Sequence, residues 1–201
     1  MTEDELIAEL ERLKRRFFLF RPRVRSLRSQ RVAPVATPSQ VERAESRIGF
    51  SFPALLRRVY TEIGNGGFGP GYGLFGIEDG NQRKTGLDVV DGYLAWRQKA
   101  PDDSAWDWPE YVVPLFDWGG FVVSCGDFSA TGCPIVEFDP TIRADGEPMA
   151  KGFRPQAASL HIFLERWILG EDVALPHVGF SIDDLRALAA IPDEDVDGTH
   201  E

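Results

Sequence analysis

The sequence predicts an α+β protein with a mainly antiparallel sheet of about five to six strands packed against several helices. Two observations carry this prediction. Helical patterns flank a consecutive run of strand-like segments instead of alternating with them, which disfavours a parallel sheet. Short glycine-containing turns separate those strand-like segments, as in an antiparallel meander.

Residues 1–36 predict a helix followed by an arginine-rich linker. Thr2 and Glu5 form a capping-box pattern that starts the helix, and Pro22 ends it. Apolar residues between them recur at spacings of four and three: Leu6, Leu10, Leu13, Phe17 and Phe20. Residues 12–31 hold nine basic side chains and no acid. This segment could bind RNA, an anionic membrane or an acidic protein, but we favour a connector that is inert or folds back on its own chain.

The globular domain is predicted to span 37–170. Its first helix has a capping box at Thr37 and Gln40, with Pro38 at the first helical position and Gly49 after the last. Pro53 opens the second helix, which ends at Gly64 and Asn65. The elements that follow are a strand at 72–77, a helix at 88–99, a loop at 101–110, strands at 111–116, 121–125 and 134–138, and a helix from Ser159 to Gly170.

A C-terminal extension, residues 171–201, completes the chain. Residues 181–190 predict one more short helix. Residues 193–201 hold five acids and no Lys or Arg, so we expect that tail to be disordered.

The charge is divided unevenly, and this division constrains the partner. The whole chain has 22 basic and 32 acidic residues, net −10; the first 31 residues contribute nine basic and five acidic, so residues 32–201 carry net −14. Such a field repels phosphate backbones and attracts basic proteins. We therefore expect a basic protein partner and no direct binding of nucleic acid.

The chain is expected to be cytoplasmic. Its longest apolar runs are far shorter than a membrane span, and the first residues are acidic where a signal peptide would be basic. Cys125 and Cys133 suit a reducing compartment, although they flank a hairpin loop and their pairing stays open. The expected assembly is a monomer or weak homodimer.

Two glycine motifs resemble a dinucleotide loop in spelling alone. Residues 64–69 and 71–76 both match G-x-G-x-x-G. A dinucleotide loop lies between a strand and the following helix, whereas here a helix precedes and a strand follows. A phosphate would meet the negative end of the helix dipole, so we interpret the segment as a structural turn and expect no cofactor.

No catalytic or metal-binding pattern stands out. His161, His177 and His200 lie in no recognisable motif, and the two cysteines lack the spacing of zinc ligands. Carboxylates are so abundant that a pair of them is weak evidence for acid–base chemistry; they include Asp102, Asp103, Asp107, Asp117, Asp127, Glu137 and Asp139. We predict a protein that is not an enzyme.

Tryptophans interleaved with acids offer the best candidate contact. Trp106 and Trp108 are expected to be exposed in an acidic loop that could contact a partner or simply be solvated. Trp118 is more readily explained as a core residue at a strand end.

The order of short motifs resembles the SUKH superfamily, the Smi/Knr-type domain. The resemblance covers roughly residues 37–170. The matching features are the capped helix with Gly49, Phe52-Pro53, the Asn65-Gly66-Gly67 bend before an aromatic strand, Val113-Pro114-Leu115-Phe116 leading to Trp118-Gly119, Asp127 in the hairpin, Phe138-Asp139, and Ser159-Leu160 through Phe163-Leu164 and Trp167.

This resemblance implies an α+β binding domain without catalytic residues. Bacterial relatives are typically immunity proteins that bind and neutralise a cognate toxin, often a nuclease. The expected partner is then a basic toxin domain, and the candidate contact residues are Asn65, Tyr72, Trp106, Asp107, Trp108, Asp117 and Asp127. The alternative is a regulator or scaffold that acts through this domain and the N-terminal helix, because the resemblance does not account for residues 1–36 or 171–201.

Overall fold

The computed structural model describes residues 1–19, 32–81, 86–98, 103–144 and 146–175. Within these residues the chain forms five α-helices and one five-stranded antiparallel sheet, which confirms the predicted α+β class. Most of the arginine-rich linker, the helix predicted at 181–190, the acidic tail, Asp102, His177 and His200 lie outside the described residues.

The sheet is a meander in which every strand pairs with its neighbours in sequence. Its strands are β1 (Gly73–Leu74), β2 (Val112–Gly119), β3 (Val122–Asp127), β4 (Ile135–Phe138) and β5 (Phe153–Ala157). The β2–β3 hairpin is the longest pairing, running from Val112 opposite Asp127 to Gly119 opposite Val122.

β1 and β5 differ most from the prediction. The strand expected at 72–77 is reduced to β1, because the last bond to β2 is that of the Phe75 amide to Leu115 O at 2.8 Å, and the Gly76 amide bonds Asn81 O at 2.7 Å instead. β5 was not predicted at all. Its sequence contains Arg154, Pro155 and Gln156. Arg154 forms an ion pair with Glu137 of β4, and Gln156 accepts the Ser124 hydroxyl of β3 and donates to Val173 O.

The helices begin and end where local signals place them. They are α1 (Glu3–Leu19), α2 (Pro38–Ile48), α3 (Ala54–Arg58), α4 (Val89–Arg97) and α5 (Leu160–Ile168). Both predicted capping boxes form, with the Thr2 amide 2.7 Å from Glu5 Oε2 and the Thr37 amide 2.8 Å from Gln40 Oε1. A π-helical turn, Val59–Ile63, continues α3 as far as the glycine bend.

The two faces of the sheet are covered by different elements. On one face, Phe116 of β2 contacts Phe163 of α5 with ring centroids 5.3 Å apart. On the other, Phe138 of β4 lies under Trp108 and under Trp96 of α4. Helix α1 joins the same core, because Leu6, Ile7 and Leu10 are buried with the domain residues.

Candidate protein-binding surface

The glycine bend, residues 64–76, is packed against itself. Its amides are already bonded to the backbone: Asn65 N to Pro34 O at 3.0 Å, Gly67 N to Leu74 O at 2.8 Å and Leu74 N to Phe68 O at 2.6 Å. Gly66 has φ +84°, and a Cβ there would lie 2.6 Å from Gly76 N. The bend is therefore a structural turn, with these amides engaged in the fold rather than forming a phosphate cradle.

Asn65 stabilises this bend from inside. Its side chain is buried: Oδ1 accepts the Ile77 amide at 2.8 Å, and Nδ2 donates to Glu78 O at 2.9 Å. Only 2% of the residue is exposed. Asn65, which was predicted to contact a partner, therefore offers almost no surface for that contact. Its side chain instead links the residue after the π-helical turn to the segment after β1.

The acidic tryptophan loop, residues 103–110, hides its aromatic side chains. The expected exposure of Trp108 is wrong: the residue is 1% exposed, its indole N–H donates to Val112 O at 2.7 Å, and its ring lies 4.9 Å from that of Phe138. Trp106 is half-buried and donates to Trp96 O at 2.7 Å. Asp107 is exposed, between these two anchored rings.

Asp107 lies on the rim of an apolar concavity. This space, about 640 Å³, is also lined by Pro109, Pro148, Met149 and Phe153. The loop is anchored beside it by an ion pair between Asp103 and the largely buried Arg143. Asp107 and this concavity form one candidate contact surface.

The other candidate contact surface lies at the edge of the sheet where β1 meets the β2–β3 turn. Tyr72 is 49% exposed, and its amide donates to Asp117 O at 2.7 Å. Its ring covers Gly119, where a Cβ would come within 2.9 Å of Tyr72 Cε2. The Asp117 carboxylate accepts the Gly119 amide at 2.8 Å and is only partly buried. We call Tyr72, Asp117, Gly119 and the neighbouring turn residue Phe121 the hairpin end.

Phe121 is a contact candidate that the sequence reasoning missed. It is 72% exposed and has φ +70°, an unusual conformation for a bulky residue. The strand predicted at 121–125 begins at this residue. The preceding Gly119-Gly120 was the available signal that this position belongs to a turn, where a side chain can project into solvent.

Asp127 lies at the opposite end of the hairpin. It faces Val112, five residues of strand away from Asp117, which is about 17 Å. Its carboxylate accepts the Ser129 amide at 2.9 Å and the Ser129 hydroxyl at 2.6 Å. The predicted contact residues therefore do not form one face: Tyr72 and Asp117 come together, while Asp127 and the tryptophan loop lie elsewhere on the sheet.

The groups that could do chemistry are poorly placed for it. Cys125 and Cys133 are both buried and form no disulfide with each other. His161 lines the same cavity as Cys133, about 470 Å³ in volume, which the sequence did not anticipate. Burial, however, raises the pKa of the Cys133 thiol to about 12, so the thiolate that a nucleophile requires is disfavoured.

The described part of the chain holds neither a cluster of metal-ligating side chains nor a helix that could span a membrane. No group of three His, Cys, Asp or Glu side chains there is arranged to hold a metal ion. None of the helices described combines the length and apolar character that a bilayer span requires.

The family follows from a comparison with protein-family models. The model of the SMI1/KNR4 family (SUKH-1) matches residues 35–166, from just before α2 into α5, including all five strands. The chain belongs to this family. No curated protein matched it.

The residues that carry the SUKH-1 resemblance are mainly core residues. Asn65, Leu115, Phe138 and Phe163 are all buried, and Trp118 is half-buried with its indole N–H on Ser124 Oγ at 2.7 Å. The family motifs therefore specify the SUKH-1 fold. Tyr72, Asp107 and Phe121 are exposed and are the candidates for contact with a partner.

Proposed function

We propose that this SUKH-1 protein is a non-enzymatic, cytoplasmic binding protein of the immunity type, which neutralises a cognate toxin by covering its surface. The observation that carries the proposal is the hairpin end. There, Tyr72 and Phe121 expose large aromatic surface beside the carboxylate of Asp117. Aromatic anchors of this kind dominate the affinity of many protein interfaces.

The charge of the molecule supports a basic partner. Residues 32–201 carry net −14, and a surface that binds nucleic acid, such as that of a nuclease toxin, is basic. Opposite fields accelerate encounter and disfavour wrong partners, while contacts at the interface set the lifetime of the complex. An acidic protein can also compete with nucleic acid for the same basic surface.

The rigidity of the hairpin end also suits recognition. The Tyr72 amide is bonded to β2, the Asp117 carboxylate is held by the Gly119 amide, and the β2–β3 pairing continues directly into the turn. Side chains presented by a sheet edge lose less entropy on binding than side chains on a loose loop.

The alternative role as a scaffold depended on a free N-terminal helix. Leu6, Ile7 and Leu10 are instead buried in the core of the domain, and Arg58 pairs with Glu3 and Asp4 of α1. The apolar stripe of the first turns of α1 is thus occupied within the chain, which favours the immunity-type proposal.

The test reads the adjacent genes for a protein with a toxin domain and measures, by calorimetry, the affinity of the purified full chain for that protein. We expect Tyr72→Ala and Phe121→Ala each to weaken binding by about tenfold or more, because each removes an exposed aromatic anchor. Asp117→Lys should weaken it as well. Tyr111→Ala is the matched control, since Tyr111 is similarly exposed at the far end of β2.

Two results would overturn the proposal in different ways. Absence of binding by the wild-type protein removes the immunity role. Binding that is weakened by Asp107→Lys but not by the hairpin-end variants transfers the contact to the tryptophan loop. Thermal unfolding of every variant separates loss of contact from loss of fold.

A further inference from the structure

A groove of about 390 Å³ lies next to the hairpin end, on the side of α5. Its aromatic walls are Tyr72, Trp118 and Trp167, and Glu171 and Asp172 lie beside them in the turn after α5. We call this space the aromatic groove. It is distinct from the concavity beside Asp107 and combines aromatic rings with carboxylates.

Trp118 is held in one orientation. Its indole N–H donates to Ser124 Oγ at 2.7 Å, and the Ser124 hydroxyl donates to Gln156 Oε1 at 2.6 Å. Gly71 packs against the ring, and a Cβ at this position would lie 2.9 Å from Trp118 Cε3 and 2.2 Å from Asp117 O. The position of the Trp118 ring is therefore already fixed in the free protein.

The turn after α5 supplies negative charge to the groove. Glu171 Oε2 already binds Nε of the chain's own Arg166 at 2.7 Å, which shows that this turn can hold a guanidinium group. The Asp172 carboxylate accepts the Ala174 amide at 3.0 Å, a bond that leaves its charge in place. The C-terminal end of α5 adds the negative end of a helix dipole.

We propose that the aromatic groove binds an arginine side chain of the protein partner. This inference rests on the proposed function, which supplies a basic protein as the ligand. Tryptophan faces attract cations, and a planar guanidinium stacks on them while donating hydrogen bonds in its own plane. A carboxylate at the end of the groove is the acceptor that such donors fit best.

Arginine fits these features better than the alternatives. Lysine offers a compact, strongly hydrated charge that stacks less well on an aromatic ring. A phosphate-bearing ligand could stack a base on the tryptophans, but its charge would be repelled by Asp172 and by the net −14 of residues 32–201. A purely apolar group would leave the carboxylates without a new partner.

The experiment titrates the 15N-labelled full chain with N-acetyl-arginine methylamide at about 0.15 M ionic strength. We expect the indole N–H resonances of Trp118 and Trp167, assigned with Trp118→Phe and Trp167→Phe, to shift together. Those of Trp96 and Trp108 should stay in place. The matching citrulline compound, which has the shape of arginine without its charge, should produce no shift, and the lysine compound a weaker one.

Asp172→Asn tests the carboxylate without removing the acceptor of the Ala174 amide. We expect it to weaken arginine binding about fivefold, the loss of one charge-assisted contact. Glu42→Gln, an exposed acid on α2, is the matched control and should leave binding unchanged. Two results would overturn the proposed arginine site: chemical-shift changes of similar size at all the tryptophan indoles when the arginine compound is added, or equal binding of the citrulline compound.

The toxin titration distinguishes the two proposals. If arginine binds in the groove while the wild-type protein fails to bind the toxin, the groove stands and the immunity role fails. If the toxin binds and neither the indole resonances nor Asp172→Asn respond, the immunity role stands and the arginine site is wrong.

Discussion

For several single residues in this protein, burial cannot be predicted from the neighbouring residues in sequence. Asn65 and Trp108 were expected at a surface, but both are buried and hydrogen-bonded to backbone groups. Phe121 shows the opposite case, an apolar residue at a turn that is 72% exposed. Polarity alone assigns Asn65 and Phe121 wrongly, and the neighbouring acids mislead for Trp108, because burial is decided by which elements pack over a residue.

Asn65→Ala is expected to lower the free energy of unfolding by about 1–3 kcal/mol, because it leaves the buried Ile77 amide without its acceptor. Urea denaturation followed by circular dichroism measures the change. Asn81→Ala is the control, since the Asn81 side chain makes only a 3.5 Å contact with Leu74 O and should cost less. Equal losses in the two variants would contradict the structural role of Asn65.

Elements with local signals were predicted well from the sequence. The capping boxes at Thr2 and Thr37, the left-handed Gly49 and the N-cap Ser159 all form as expected, because each depends on residues within one helical turn. β5 was not predicted, because its charged residue Arg154 is accommodated by an ion pair with Glu137 on the adjacent strand. Such a partner is invisible along the chain.

Helix α1 shows how an element outside the family match can still complete the core. Leu6 and Leu10 are buried against the domain, whereas Leu13, on the same predicted stripe, is only half-buried. The predicted domain limits, 37–170, leave this helix out, and they stay a prediction.

Leu6→Ala or Leu10→Ala is expected to destabilise the protein by about 2–5 kcal/mol, through lost burial and the cavity left behind. Leu13→Ala, the matched control, should cost clearly less. Urea denaturation of the three variants gives the comparison. If the first two variants unfold like the wild type, α1 is an independent arm and the scaffold role regains support.

At the scale of the whole molecule, the sheet and the charge distribution together define the proposed binding protein. The meander brings Tyr72, Asp117 and Phe121 to one end, while Asp127 lies at the other and Asp107 lines a concavity with Phe153 of β5. Most of these residues were predicted from the sequence as contact residues. Which of them lie close together was not predicted, because that depends on strand register and on the length of β1.

Hydrogen–deuterium exchange of the protein with and without its toxin tests this account most directly, because it reports which backbone amides the partner covers. If the hairpin end and the aromatic groove form the interface, exchange slows at residues 71–73 and 119–123 and in the turn at 170–173, which borders the aromatic groove. Residues 103–110 and 146–153 should exchange at the same rate in both samples. Protection confined to 103–110 and 146–153 would contradict it and place the interface at the tryptophan loop.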